Sequence, residues 1–213
     1  MLIEMKIANK QIIVIGGGKV GERKVQALLR EGAKVTVASK DFTDYLSNLG
    51  KSKKINLKKI EKKPLSQIIR TLTNFDIIIA ATDDEEMNIA LTKQARRSKI
   101  PICVVDHPDI CDFYFPATTD FGNLKIAVST GGKSPAMASV LRKRLEEYVT
   151  KEDVLQVELQ DYSRKILRSK INNSSNRKKI LYEIMEDSEV STFIKKGKLE
   201  EAKKIAEEII NKY

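Results

Sequence analysis

The stretch Gln11-Ile-Ile-Val-Ile-Gly-Gly-Gly-Lys-Val-Gly21 decides the fold of this chain. A short apolar run of β-branched residues predicts a strand, the glycines predict a tight turn, and the apolar spacing of residues 20–30 predicts a helix. Gly16-x-Gly18-x-x-Gly21 is a dinucleotide-binding fingerprint, because its glycines allow the turn, the approach of a pyrophosphate and close helix-to-strand packing. The helix N-terminus adds N–H donors, so Lys19 and Val20 join these glycines as candidate cofactor-binding residues.

A second strand is predicted over residues 33–38, which completes a βαβ unit with a right-handed crossover. In dinucleotide-binding folds an acidic residue at the end of this strand binds the ribose hydroxyls. Here Ala38-Ser39-Lys40 occupies that position, and Asp41 is the nearest carboxylate. Two alternatives stay open: Asp41 binds the ribose of NAD, or Lys40 binds the additional phosphate of NADP.

The alternation of strands and helices continues to residue 105, and it predicts an open parallel sheet of five strands, an α/β fold of Rossmann type. The third strand falls in a lysine-rich segment, which suits a sheet edge. Thr82 follows the fourth strand and is a further candidate cofactor-binding residue. The predicted helices are 41–50, 64–69 and 85–98, and the predicted strands lie within 51–63, 75–81 and 100–105.

Beyond residue 112 the pattern changes to two strands, 113–117 and 124–129, joined by a polar turn and followed by a helix over 136–148. The remainder has helical periodicity, with breaks at 172–176 and 196–197. We therefore predict a Rossmann domain over 1–112, a strand-strand-helix module over 113–149 and a helical C-terminal domain over 150–213.

Asp106 closes the fifth predicted strand at the edge of the sheet where ligands of open α/β folds bind. A carboxylate there can act as a base beside a nicotinamide, although a carboxylate capping a turn explains the same position. His107 receives no role. The loop Ser129-Thr130-Gly131-Gly132-Lys133-Ser134 has the composition of a segment that holds an anion, and ordinary capping of the helix that follows explains it equally well.

The composition argues against several classes of protein and of site. The longest apolar runs are far shorter than the roughly 20 residues of a membrane span, so we expect a cytoplasmic protein with no membrane partner. Two cysteines, Cys103 and Cys111, and one histidine support neither a disulfide framework nor a metal site. The net charge of +10 indicates either a solvated surface or attraction of an anionic ligand. Nucleic acid is not favoured, because no recognised module accompanies the lysines.

Five ordered motifs together resemble the precorrin-2 dehydrogenase family of sirohaem synthesis. They cover about 125 residues, and such an ordered set is highly specific. The motifs are residues 13–24 with the glycine turn, Ala80-Ala-Thr-Asp-Asp84 with Asn88, Val104-Val-Asp-His-Pro108, Cys111-Asp-Phe-Tyr-Phe-Pro-Ala117 and Ser129-Thr-Gly-Gly-Lys-Ser-Pro135.

The resemblance implies a homodimer, built through residues 113–149, that oxidises precorrin-2 to sirohydrochlorin with NAD. Some members of the family also insert ferrous iron. Asp106 matches the family's essential aspartate, and the anionic tetrapyrrole gives the positive charge a reason, with the loop 129–134 as its candidate binding site. The alternative is a Rossmann module that senses a nucleotide without catalysis. A sensor needs neither Asp106 nor the segment 113–135.

Overall fold

The computed structural model describes residues 2–60, 72–105 and 107–213. The chain forms two compact units, Met1–Phe115 and Pro116–Tyr213. The three-part division at residues 112 and 149 stays a prediction.

A five-stranded parallel sheet organises the first unit, as predicted. Its order is β3-β2-β1-β4-β5, so β1 lies in the centre and the strand order reverses beside it. The lysine-rich strand β3 lies at one edge, where a row of lysines discourages association with other chains. The strands are β1 (Gln11–Ile15), β2 (Lys34–Ser39), β3 (Asn56–Lys59), β4 (Ile77–Ala80) and β5 (Ile102–Val104).

Both faces of the sheet are buried, which explains why β4 and all of β1 after its first residue, Gln11, are apolar. Ile13, Ile15 and Ile78 belong to one hydrophobic cluster, and Ile12 and Val14 belong to the cluster on the opposite face. Each such side chain contributes roughly 1.5–3 kcal/mol when fully buried. The helices of this unit are α1 (Lys19–Arg30), α2 (Asp44–Lys51) and α3 (Glu85–Arg97). The predicted helix 64–69 lies outside the described residues.

The second unit begins with an antiparallel pair, β6 (Ala117–Asp120) and β7 (Lys125–Val128). The prediction of a strand over 113–117 was wrong. Phe113 and Phe115 instead pack on the core of the first unit, with ring centroids 5.7 Å apart. Pro116 carries no N–H for a strand ladder, so pairing starts at Ala117.

Five helices follow: α4 (Pro135–Tyr148), α5 (Lys151–Lys170), α6 (Ser174–Glu186), α7 (Ser188–Lys195) and α8 (Leu199–Ile210). The predicted breaks near residues 172–176 and 196–197 are confirmed. A further break at Asp187 was missed. The Asp187 carboxylate accepts hydrogen bonds from the N–H groups of Glu189 and Val190, and it thereby begins α7.

Candidate functional site

A cleft of about 780 Å³ opens at the carboxyl edge of the sheet in the first unit. It lies where α/β folds bind nucleotides, at the point where the strand order reverses. Seven of the eight candidate cofactor-binding residues line it: Gly16, Gly18, Lys19, Val20, Lys40, Asp41 and Thr82.

The eighth candidate, Gly21, lies behind the cleft and holds α1 against β1. A Cβ atom at this position would lie 2.1 Å from the carbonyl oxygen of Gly16. Gly16 is constrained as well, because its φ is +117° and a Cβ would lie 2.1 Å from the carbonyl oxygen of Ala81. These two glycines therefore build the turn, and any side chain at either position displaces backbone.

Gly18 has a different role, because no atom lies within 4 Å of the position that a Cβ would occupy. A side chain here would project into open space rather than into the protein. Gly18 is also the N-cap of α1, and it has no side chain to accept a hydrogen bond from the first turn. The N-terminus of α1 thus presents its N–H groups and its positive dipole end to a ligand in the cleft.

Sequence reasoning missed Gly17. A Cβ at Gly17 would lie 2.2 Å from the carbonyl oxygen of Asp41, and the Thr43 N–H donates to the Gly17 carbonyl over 3.1 Å. The glycine turn and the segment 39–43 are therefore packed directly on each other. The only signal in the sequence was that the middle residue of the run Gly16-Gly-Gly18 is also a glycine.

Lys40 and Asp41 both line the cleft after β2, and both are exposed. Ser39, which was not among the candidates, lines it too. The arrangement offers a hydroxyl, an ammonium and a carboxylate to the ribose end of a dinucleotide. The choice between Asp41 with NAD and Lys40 with NADP stays open.

The loop after β4 is fixed by Thr82 and Asn88. The Thr82 hydroxyl lies 2.9 Å from Asn88 Oδ1, and the Asn88 amide donates to the Thr82 carbonyl over 3.1 Å. Asp84 accepts from the Met87 N–H and caps α3. Thr82 thus shapes the cleft wall through its own contacts, and Asn88 is a supporting residue only 2% exposed.

Asp106 lies outside the described residues, so its role stays a prediction. Its neighbour Val105 lines the cleft and His107 is exposed. Cys111 is tied to this segment: its sulfur accepts from the Val104 N–H at 3.1 Å and lies 3.0 Å from the Val104 carbonyl. Cys103 is buried, and burial first of all raises the pKa of its thiol to about 12. It is therefore an inert thiol at neutral pH.

The loop 129–134 lies in the second unit, and its hydroxyl groups accept hydrogen bonds from backbone N–H groups of the loop and of the helix that follows it. Ser129 accepts from the Gly131 N–H, Thr130 accepts from the Ser134 N–H, and Ser134 caps α4 by accepting from the Met137 N–H. The capping interpretation is therefore confirmed for Ser134. Lys133 is exposed and remains the cationic group of the loop.

The described residues fall in the ranges 2–60, 72–105 and 107–213. Within them, no three side chains of histidine, cysteine, aspartate or glutamate come together as metal ligands. No helix there is long and apolar enough to cross a membrane.

The sheet order and the glycine turn define a dinucleotide-binding protein of Rossmann type. A family model described as "Putative NAD(P)-binding" matches residues 3–117, and the chain belongs to that family. A second model, described as "Sirohaem biosynthesis protein central", matches residues 122–148. These matches confirm the resemblance drawn from the motifs.

Curated relatives carry the name siroheme synthase. The chain is 41% identical over 145 residues to the siroheme synthase of Methylococcus capsulatus, covering 68% of this chain and 29% of that protein. It is 36% identical over 149 residues to the siroheme synthase of Methylobacillus flagellatus, covering 69% of this chain and 30% of that protein. The chain thus spans about 30% of the length of these relatives.

A solved structure titled "SirC, precorrin-2 dehydrogenase" matches with a TM-score of 0.72 at 20% identity. The match covers 98% of this chain and 99% of the other. It confirms the α/β fold, with its five-stranded parallel sheet, antiparallel pair and helical C-terminal region.

Proposed function

We propose that this protein oxidises precorrin-2 to sirohydrochlorin with NAD, in the synthesis of sirohaem. The observation that carries the proposal is the pairing of two features in one chain. A nucleotide cleft with an open Gly18 lies in the first unit, and the sirohaem-specific central segment follows at residues 122–148. The names of the siroheme synthase relatives and of the SirC structure support it.

The cleft residues fit a dinucleotide. Gly18 leaves room for a pyrophosphate beside the uncapped N-terminus of α1, and the segment 39–41 lies where a ribose is bound. NAD, when bound, accepts the hydride that leaves the macrocycle. The reaction then balances as precorrin-2 and NAD⁺ giving sirohydrochlorin, NADH and one proton.

Asp106 is the proposed acceptor of that proton, because it directly follows Val105 in the sequence, and Val105 lines the cleft. The substrate is an anionic tetrapyrrole, and we assign its carboxylates to the loop 129–134 with Lys133 as the cation. The protein's charge of +10 favours the encounter. Iron insertion stays a prediction from the resemblance.

We further propose a cytoplasmic homodimer built through residues 113–149. The support is an apolar stripe on α4 that the second unit leaves exposed. Met137, Val140 and Leu145 are each 43% exposed, and Tyr148 is 80% exposed. These positions repeat at helical spacing along one face, as expected of a helix that packs on a second copy.

The test incubates the protein with precorrin-2 and NAD and follows absorbance. We expect NAD-dependent formation of sirohydrochlorin, and we expect Asp106→Asn to abolish turnover while the Kd for NADH changes less than about twofold. Repeating the assay with NADP in place of NAD decides between the two alternatives for the ribose end of the cofactor. Faster oxidation with NAD favours Asp41 as the ribose-binding residue, and faster oxidation with NADP favours Lys40 as the phosphate-binding residue. Tight cofactor binding without oxidation would contradict the proposal and favour the sensor. An active Asp106→Asn variant would remove Asp106 from the mechanism.

A further inference from the structure

A basic groove lies between α5 and α6 in the second unit, and none of the roles proposed above uses it. It encloses about 410 Å³. Its walls carry four cations, Arg164 and Arg168 from α5 and Arg177 and Lys178 from α6, and no carboxylate lines it. We define the basic groove by these four residues with the floor residues Leu181, Tyr182 and Met185.

Three of the cations are available to a ligand. Arg164, Arg168 and Lys178 form no ion pair with a carboxylate of the described residues, whereas neighbouring Lys165 pairs with Asp161 at 2.6 Å. Arg177 is anchored, since it donates to the carbonyls of Ile171 and Asn172 over 2.8 and 2.7 Å. A guanidinium has five donors, so Arg177 retains donors for a ligand. Such a concentration of unpaired charge is costly unless an anion neutralises it.

The floor of the basic groove is apolar and partly exposed. Tyr182 is 49% exposed and Met185 is 42% exposed, and Lys178 lies 5.8 Å from the centroid of the Tyr182 ring. Methionine and aromatic side chains adapt well to flat unsaturated ligands. The groove therefore combines a surface for a planar apolar body with cations for acidic groups around its margin.

The groove also extends beyond its basic end. Gln160, Arg164, Leu181 and Met185 line both the basic groove and an adjoining space of about 530 Å³. The amide nitrogen of Gln156, which lines the extension, is buried without a hydrogen-bond partner. Asp153 and Asp161 also line this extension, so the Gln156 donor suits a neutral acceptor of the ligand rather than a carboxylate.

The dimensions favour a compact ligand over a macromolecule. From Gln160 to Arg168 the basic wall covers two turns of α5, about 12 Å. An acidic helix or a nucleic-acid strand needs a longer basic track, whereas one polycarboxylate macrocycle fits this length and volume range.

We propose that the basic groove is a second binding site for the anionic tetrapyrrole, separate from the nucleotide cleft and from the loop 129–134. The ligand class rests on the proposed function. The cations of the groove bind the carboxylates of the macrocycle, and the ring lies against Tyr182 and Met185. The helical region thereby has a role in retaining substrate or product.

The experiment titrates the protein of residues 1–213 with uroporphyrin, a fluorescent polycarboxylate macrocycle, in the presence of saturating NADH. The groove variant is Arg164→Gln with Arg168→Gln. The control is Lys195→Gln with Lys204→Gln, which removes the same charge from exposed positions on α7 and α8. Circular dichroism establishes that both variants are folded.

We expect the groove variant to weaken uroporphyrin binding about tenfold, because two ion pairs are lost, and the control to weaken it less than about twofold. Equal binding by both variants would overturn the second site, and precorrin-2 oxidation by the same samples would leave the proposed function standing. The second tetrapyrrole site would also be overturned if the protein bound polyphosphate or an oligonucleotide more tightly than uroporphyrin and the groove variant lost that binding. A protein that neither binds uroporphyrin nor oxidises precorrin-2 would contradict both proposals.

Discussion

Two glycine-rich loops precede helices in this molecule, and they end in opposite ways. The turn 16–18 leads into α1 with no side chain capping the helix, whereas the loop 129–134 leads into α4 with Ser134 as its cap. Both use glycines with positive φ, at Gly16 in the first and at Gly131 and Gly132 in the second. The difference teaches that a glycine loop offers backbone N–H groups to an anion only where the helix that follows is left uncapped, so the capped loop 129–134 has only the Lys133 ammonium to offer as a cation.

The largest effect is expected from Gly16→Ala in the first loop. The new methyl group overlaps the Ala81 carbonyl at 2.1 Å, and alanine must adopt a φ of +117°. Steric overlap and backbone strain together should lower the free energy of unfolding by about 3–5 kcal/mol, with loss of NADH binding. Urea unfolding followed by circular dichroism measures this change. An unaltered transition would show that the turn tolerates side chains.

Gly18→Ala separates ligand binding from stability within the same loop. Nothing lies within 4 Å of the added methyl group, and the φ of Gly18 is −80°, so the free energy of unfolding should change by less than about 1 kcal/mol. The methyl group occupies the approach of the pyrophosphate, so NADH affinity should fall by about tenfold or more. Isothermal titration with NADH gives the affinity. Undiminished affinity would place the dinucleotide elsewhere.

Ser134→Ala is the matched change in the second loop. It removes the acceptor of the Met137 N–H and should lower the free energy of unfolding by about 1 kcal/mol. Ser134→Asp restores a cap and adds a negative charge. If the loop 129–134 binds the tetrapyrrole, this variant should regain stability yet show a raised KM for precorrin-2. A KM equal to that of wild type would mean that the loop 129–134 does not bind the tetrapyrrole and that Ser134 serves only to cap α4.

The smallest effect on stability is expected from Asp76→Asn, at the amino end of β1, where the Asp76 side chain accepts a hydrogen bond from a backbone N–H group of the strand. The Asp76 carboxylate accepts a hydrogen bond from the Gln11 N–H at 2.8 Å. This bond is the main reason why the pKa of Asp76 lies below the ordinary 3.8, and the nearby Lys10 ammonium lowers the pKa further. Its stabilisation is therefore present above pH 3.8 and is lost as the pH falls through the lower folded pKa.

The measurement compares wild type with Asp76→Asn across that range. The wild type should be slightly more stable near neutral pH, and the difference should shrink as the medium becomes more acidic than the ordinary aspartate pKa. A difference that grew on acidification would contradict the direction of the shift.

Local patterns were predictable where one physical constraint dominated. The strand, turn and helix from Gln11 to Arg30 followed from apolar spacing and glycine position, since each reports a local backbone geometry. The segment around Phe113 and Phe115 was misread, because alternating aromatic residues look like a strand wherever they are buried. Only the position of the first unit's core determined that they pack there.

The sequence by itself determined the dinucleotide fingerprint, the parallel sheet and the family, because each depends on residue types at fixed local spacing. Only the tertiary structure decided that Gly17 must be glycine, since the Asp41 backbone packs on it. It also decided that Ser134 is a cap. It alone brought the cations of α5 and α6 together into one groove. The contact at Gly17 and the groove join segments that are separated in the chain, so local spacing carries no record of them, whereas the Ser134 cap is a local contact that the sequence offered as one of two alternatives.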